Sequence, residues 1–566
     1  MQAKPGLFLT FGQAPPAPRH AGSVVWARAA LHRAAATALM LLLTAWLAAC
    51  GSLPVDVERD EPPPLAAGGN AGPSRLQQLA DAQRPGPDSP PGASAFAVLE
   101  DGTQALGTRL ALIRQAGQRL DIQTYIWADD TTGRLLMREL LRAADRGVRV
   151  RLLLDDNNTV GLDPWLRLLD AHPHIAVRLF NPFPTRVLRM ADWVTDFRRV
   201  NRRMHNKLML ADDRLAVLGG RNIGDTYFGT DRELHFEDTE LLVLGPVLAE
   251  ARASFERYWN SPQAYSLERL LAPETASRSA LDRSVRERLA TLTGQPWRQE
   301  WRDTLLNRAL AGQPLPLTWA PMELLDDPPV KVARDPAASA GALLPRLGQL
   351  FGQARESLDL VSAYFVPGDE GTEALATLAR AGVQVRLLTN SLAATDVAAA
   401  HVGYARHRLP LAQAGVRLLE LKPTPSARLV KRRPQLAGSR ASLHAKTFAV
   451  DGQTVFIGSL NLDPRSTRLN TEVGLLVHSP ALAQQLHRRL DDLAGDSAWW
   501  VHADAQGTLV WADAMPAQPR EGSSLAGAHS ATGEEPGPEP DPEPGASLGR
   551  RLSVWLLSWF DLDWLL

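Results

Sequence analysis

Two copies of one short pattern constrain this 566-residue chain more than any other feature. The first runs Met204-His205-Asn206-Lys207-Leu208-Met209-Leu210-Ala211-Asp212 and is followed by Gly219-Gly220-Arg221-Asn222. The second sets His444, Lys446 and Asp451 in the same frame, followed by Gly458-Ser459-Leu460-Asn461. Side chains two apart on a strand share a face, so an extended His205 to Leu210 turns His205 and Lys207 together while Leu208 and Leu210 enter the layer behind. His444 and Lys446 pair in the same way, with Ala445 and Thr447 opposite. The glycines let the next segment come close, so that Asn222 and Asn461 can reach the same anion.

A single His-x-Lys on an apolar strand is ordinarily a half-buried His beside a snorkelling Lys. Composition argues against that here. The chain has six lysines (Lys4, Lys207, Lys331, Lys422, Lys431 and Lys446) among 61 basic residues, and two of the six stand in matching frames after a His. Arginine would serve a solvated charge equally well; a compact ammonium kept at both places suits a phosphoryl group.

The surroundings repeat as well. Leu120 to Trp127 reads as a strand, Thr132 to Arg146 as a helix stopped by Gly147, and Val148 to Leu154 as an apolar strand ending in Asp155-Asp156. Leu358 to Phe365, Gly371 to Ala381, Gly382 and Val383 to Leu388 follow the same order. Offsets between matching landmarks are 359 − 121 = 238, 382 − 147 = 235 and 444 − 205 = 239, which marks an internal duplication. Two α/β halves related by an approximate two-fold axis bring both histidines to one cleft.

These paired motifs resemble those of the phospholipase D superfamily and, in detail, bacterial cardiolipin synthases. The resemblance covers about residues 93 to 500 and the last few residues. It implies two tandem phospholipase D-like α/β domains, each a mixed sheet flanked by helices, sharing one active-site cleft. It implies His205, Lys207, Asp212, His444, Lys446 and Asp451 as the catalytic set, with Asp212 and Asp451 binding across the halves rather than moving protons. Asn222, Asn461 and Ser459 would hold substrate phosphate; Gly220 stands where many relatives carry a Ser. Aligning Glu240 to Val243 with Gly474 to Val477 sets Asp238 opposite Glu472, and the family uses such a carboxylate to orient the catalytic His; Glu237 or Glu240 could take that role in the first half. The implied chemistry is double displacement through a phosphohistidine, with His205 as nucleophile and His444 as acid and then base, and with no metal or other cofactor.

The expected reaction transfers a phosphatidyl group to phosphatidylglycerol, with phosphatidylglycerol or phosphatidylethanolamine as donor. Water as acceptor would make the same site a phospholipase D. A formal net charge of −1 gives no overall pull toward nucleic acid.

Along the chain the expected divisions are a lipoprotein signal peptide over 1–49, a disordered tether over 50–92 and a first catalytic domain over 93–262. A helical connector follows over 263–324, then a second catalytic domain over 325–500, a disordered linker over 501–548 and an amphipathic tail over 549–566. Residues 34 to 49 are an apolar run after Arg19, Arg28 and Arg33, too short to span a bilayer comfortably. Leu47-Ala48-Ala49-Cys50 resembles a lipobox and holds the chain's one cysteine, which excludes a disulfide framework. Lipidation of Cys50 implies a membrane-anchored lipoprotein facing the periplasm, and Gly51 after it leans toward the outer membrane. The 51–92 stretch is rich in Pro and Gly, with at most a short helix around Ser74 to Gln83. The tail carries Trp555, Trp559 and Trp564, which suits an interface or the catalytic body.

Overall fold

The computed structural model of the chain describes residues 72–87, 89–186, 188–271, 276–292, 297–334, 343–425, 427–432, 436–513 and 543–559, with Thr37 and Leu53. Apart from Thr37, the apolar run lies outside the described residues, as do Cys50, the middle of the expected linker and residues 560–566. Among the described residues no helix is long and apolar enough to cross a membrane.

Each half is built on a nine-stranded mixed sheet. In the first, the order is Thr318–Ala320, Ser94–Leu99, Glu240–Leu244, Leu215–Gly219, Leu208–Ala211, Arg119–Ile126, Arg149–Asn158, Ile175–Phe180 and Ala264–Ser266. In the second it is Met322–Asp326, Val473–His478, Thr454–Gly458, Lys446–Val450, Ser357–Ser362, Gln384–Asn390, Arg417–Leu421, Ala498–Ala503 and Leu509–Ala512. In both, the parallel pairs are confined to three adjacent strands. The matching helices are Thr131–Asp145 and Gly368–Arg380. Gly147 and Gly382 end them at φ of 91° and 94°, a left-handed turn that a side chain would resist.

Period-two alternation assigns the faces. Met209, Ala211, Leu215 and Val217 enter the core of the first half. Leu208, Leu210, Ala216 and Leu218 turn the other way and pack in one cluster with Val455, Ile457, Leu475 and Val477 of the second half. Phe456, between two of these, faces the core on the far side of the second sheet. The halves therefore share a continuous apolar layer, which explains strands that are apolar on both faces.

Several boundaries differ from the expected divisions. Within the 50–92 tether, Arg75–Ala82 is a helix with a Ser74 capping box, and Leu76 is fully buried in the first core. The 263–324 connector is not helical throughout. Beside helices Arg278–Thr291, Trp297–Arg302 and Leu305–Leu310 it supplies Ala264–Ser266 and Thr318–Ala320 to opposite edges of the first sheet, and Met322 begins the edge strand Met322–Asp326 of the second. Leu509–Ala512 extends the second sheet into the expected 501–548 linker, and Glu543 near its other end is anchored by ion pairs. Pro184–Thr195 belongs to a separate compact unit; in it, helix Arg189–Thr195 carries Asp192, whose carboxylate accepts the Thr185 N–H at 2.9 Å.

Candidate active site

Neither catalytic-motif His lies inside a strand. The sheet strand begins only at Leu208, and His205 to Lys207 run ahead of it, with the His205 N–H donating to Thr471 O of the other half at 2.9 Å. In the second half Arg440–Leu443 leaves the main sheet to pair in parallel with Leu234–Glu237, and His444 N–H donates to Glu237 O at 2.8 Å. The expected continuous strand is thus broken at the histidine. The break is what lets each motif hydrogen-bond to the opposite half.

The side chains cross over in the same way. His205 Nδ1 lies 2.9 Å from Glu472 Oε2, and His444 Nδ1 lies 2.7 Å from Asp238 Oδ2. Both carboxylates are fully buried. The alternatives in the first half are committed elsewhere: Glu237 meets His235 at 3.3 Å and Arg489 at 3.1 Å, while Glu240 holds Arg109.

Lys207 Nζ donates to His205 O at 2.5 Å, and Lys446 Nζ lies 3.1 Å from His444 Nδ1 and also donates to His444 O. Burial, followed by the charges of Lys207 and Lys446, pushes both imidazoles well below their usual range. Burial lowers both lysines too, against the pull of Glu472 and Asp238. Burial raises Asp238, and it raises Glu472 to about 7, opposed chiefly by Lys207. A low-dielectric pocket holding two imidazoles, two ammonium groups and two carboxylates is stable only because each is paired, and it is poised to accept a further anion.

Asp212 and Asp451 do not bind across the halves and do not face the histidines. Asp212 accepts the N–H groups of Gly117, Gln118 and Arg119 at 2.8 to 2.9 Å and the Ser74 hydroxyl at 2.5 Å. Asp451 accepts those of Arg355, Glu356 and Ser357 at 2.8 to 3.0 Å. Each adopts φ of 51° and closes the loop entering a strand of its own half. A carboxylate that accepts three N–H groups is a loop clamp, and this role replaces the expected one.

The other motif residues divide. Asn222 accepts Ile126 N–H at 3.2 Å and donates to the Tyr227 hydroxyl at 2.9 Å, so its amide is engaged. Asn461 is buried, with Oδ1 lacking a hydrogen-bond partner among the described residues. Ser459 Oγ donates to Glu472 Oε2, so its hydroxyl supports the His partner in this structure rather than standing free for phosphate. Gly220 has no room for the equivalent: a Cβ there would lie 2.3 Å from Asp238 Oδ1.

Other residues around the site carry no motif. Tyr125 meets the His205 ring edge-on at 5.0 Å, and Tyr227 meets His444 in the same way at 5.0 Å. Asp155 accepts the Met204 N–H at 2.8 Å, one residue before His205. Lys331 donates to Asp327 Oδ2 at 2.8 Å, and that oxygen also accepts the Glu472 N–H at 3.2 Å. The scarcity of lysine is the signal that could have singled out Lys331. Arg203, in a basic cluster beside the motif, is 1% exposed and donates to Val200 O and Asn181 O, so it is spent on folding.

The chain is similar to several known proteins. Residues 110–259 and 347–494 each match the family described as cardiolipin synthase, PLD-like domain. Cardiolipin synthase C of Escherichia coli is 45% identical over 441 residues, covering 77% of this chain and 93% of that protein. Cardiolipin synthase B of Escherichia coli is 26% identical over 70% of this chain and 79% of its own length. A solved phosphatidylserine synthase of Haemophilus influenzae covers 70% of this chain and 84% of that one, at 17% identity and a TM-score of 0.49. The two family matches take in both His-x-Lys motifs and both partner carboxylates, and the chain belongs to the PLD-like cardiolipin synthase family.

Proposed function

We propose that this chain makes cardiolipin by moving a phosphatidyl group onto phosphatidylglycerol. The observation that carries the reading is the pair of crossed hydrogen bonds, His205 to Glu472 and His444 to Asp238. Each occupies Nδ1 and leaves Nε2 as the reactive nitrogen.

The His205 Nε2 lone pair attacks phosphorus of the donor lipid; a P–N bond forms as the bond to the headgroup oxygen breaks. His444, protonated at Nε2, gives its proton to the departing alkoxide. Neutral His444 then takes the proton from a primary hydroxyl of phosphatidylglycerol, whose oxygen attacks phosphorus and releases His205. Lys207, Lys446 and Asn461 stabilise charge on the nonbridging oxygens. The depressed basicity of His205 supports its role as a free nucleophile. His444 gains its proton as the bound phosphodiester adds negative charge beside it.

The donor is phosphatidylglycerol or phosphatidylethanolamine. The chain is held at a membrane facing the periplasm by lipidation of Cys50, with the outer membrane favoured by Gly51; the lipobox-like Leu47-Ala48-Ala49-Cys50 supports this. Intact-mass analysis of the membrane fraction, beside Cys50→Ser, tests the anchor.

Mass spectrometry of lipids after incubation with phosphatidylglycerol vesicles, with and without phosphatidylethanolamine, tests the reaction. Cardiolipin formed by the natural chain and absent with His444→Ala supports it, and released glycerol or ethanolamine names the donor. Phosphatidic acid as the main product would make the protein a hydrolase instead.

A further inference from the structure

The helix Leu548–Leu557 buries none of its residues. Leu548, Leu552, Trp555 and Leu556, with Trp559 just beyond, are 46 to 85% exposed and are among the large apolar side chains most open to solvent. Positions 548, 552, 555 and 559 follow the spacing of one helix face. Trp555 and Trp559 meet edge-on at 4.5 Å.

Polar contacts explain why this face is not folded inward. Just upstream, Glu543 Oε1 lies 3.0 Å from His401 Nε2 and 2.7 Å from Arg408 Nη1. Arg550 Nη1 donates to Leu392 O at 2.7 Å and Thr395 O at 2.6 Å, and Arg551 Nη2 donates to Glu543 O at 2.8 Å. Arg550 therefore commits the polar side of the helix to the catalytic body, while Arg551 is held by the lead-in segment that Glu543 anchors, which leaves the outward side apolar. The seat is next to the chemistry. Residue 396 follows directly on Thr395, and the Asp396 carboxylate accepts the Tyr364 hydroxyl at 2.9 Å and acts electrostatically on Lys446.

We propose that the face formed by Leu548, Leu552, Trp555 and Trp559 inserts into the surface of a phospholipid bilayer and lays the cleft against it. This rests on the reading that the substrates are phospholipids, because a site that Asp396 helps to form can draw on a bilayer only if that side of the protein lies on one. Ten helical residues span about 15 Å, which suits lying in the interface rather than crossing it. Paired Trp side chains with apolar bodies and polar N–H groups favour the headgroup level. The sequence continues as Phe560-Asp561-Leu562-Asp563-Trp564-Leu565-Leu566, prolonging the apolar character beyond the helix.

The test compares residues 51–566, the processed form of the proposed lipoprotein without its lipidated Cys50 or the apolar run before it, with the same chain also carrying Leu552→Glu and Trp555→Glu. Co-sedimentation with phosphatidylglycerol vesicles is measured alongside turnover of vesicles and of a short-chain phosphatidylglycerol below its micellar concentration. The expected result is roughly a tenfold or greater loss of vesicle binding and vesicle turnover, with monomeric turnover within about twofold. Unchanged vesicle binding would overturn the proposal, as would equal loss of both activities. So would a dimer in the parent that the substitutions abolish while vesicle binding persists, since the face would then seat a second copy. If the parent binds vesicles through this face but turns over neither lipid, the reaction assigned above fails and the surface stands.

Discussion

Glu472 lies 2.9 Å from Nδ1 of His205 although 267 residues separate them, and the contact joins the two halves of the duplication. Half of the reaction centre is thus built by each domain. Glu472→Gln keeps the shape and loses the anion, and it is expected to lower kcat by about 10² or more, as loss of a tautomer-fixing carboxylate does. Steady-state kinetics on phosphatidylglycerol vesicles, with thermal unfolding as a control for folding, check this. A loss within threefold would remove Glu472 from the mechanism.

Glu472 also gives the site a pH dependence. Burial raises its carboxyl to about 7, so below that pH it is protonated and the anion facing His205 is lost. Activity should therefore rise with pH through about 7. Lys331 is one of the cations that oppose the rise. Lys331→Met should move the limb to higher pH, whereas Lys331→Arg should leave it close to the natural position. Lys331 and Asp327 are also a buried pair, with side chains 2% and 1% exposed. Removing one partner should cost about 3 kcal/mol in chemical denaturation.

Asp212 and Asp451 stand in the motif yet clamp loops. Asp212→Ala deprives three N–H groups and a hydroxyl of their acceptor. It should lower stability by about 3 kcal/mol while kcat per folded molecule stays within threefold. Denaturation together with active-site titration separates the two effects.

Gly220→Ser places a Cβ 2.3 Å from Asp238 Oδ1. The carboxylate must move, and His444 loses its partner. Activity should fall by about 10² with the fold intact. Ser459→Ala in the other half removes one donor to Glu472 and should cost only about tenfold. Parallel kinetics on the two variants expose the asymmetry between the halves.

The duplicated frame, the near-constant offset and the strand–helix–strand order were legible because periodicity and repetition are local properties of a chain. The pairing of Asp238 with Glu472 was also legible, as an alignment of Glu240 to Val243 with Gly474 to Val477. The crossover was not, because nothing local shows that His205 leaves its sheet to bond with Thr471. The clamping role of Asp212 was hidden for the same reason: its partners at 117 to 119 lie far away in sequence and are backbone groups, which leave no mark on residue type. Lys331 and Asp155 likewise act through contacts that only the folded chain creates.

His205 is expected to carry the phosphatidyl group in a site completed by the other half. His444→Ala should still accept a phosphatidyl group from a p-nitrophenyl phosphatidyl ester, whose leaving group needs no proton, but should be slow to pass it on. Rapid mixing should give a burst of about one nitrophenolate per active site, with peptide mass spectrometry placing the adduct on His205. No burst from His444→Ala, together with an adduct on His444 in a His205→Ala chain, would contradict the account and reverse the roles of the two histidines.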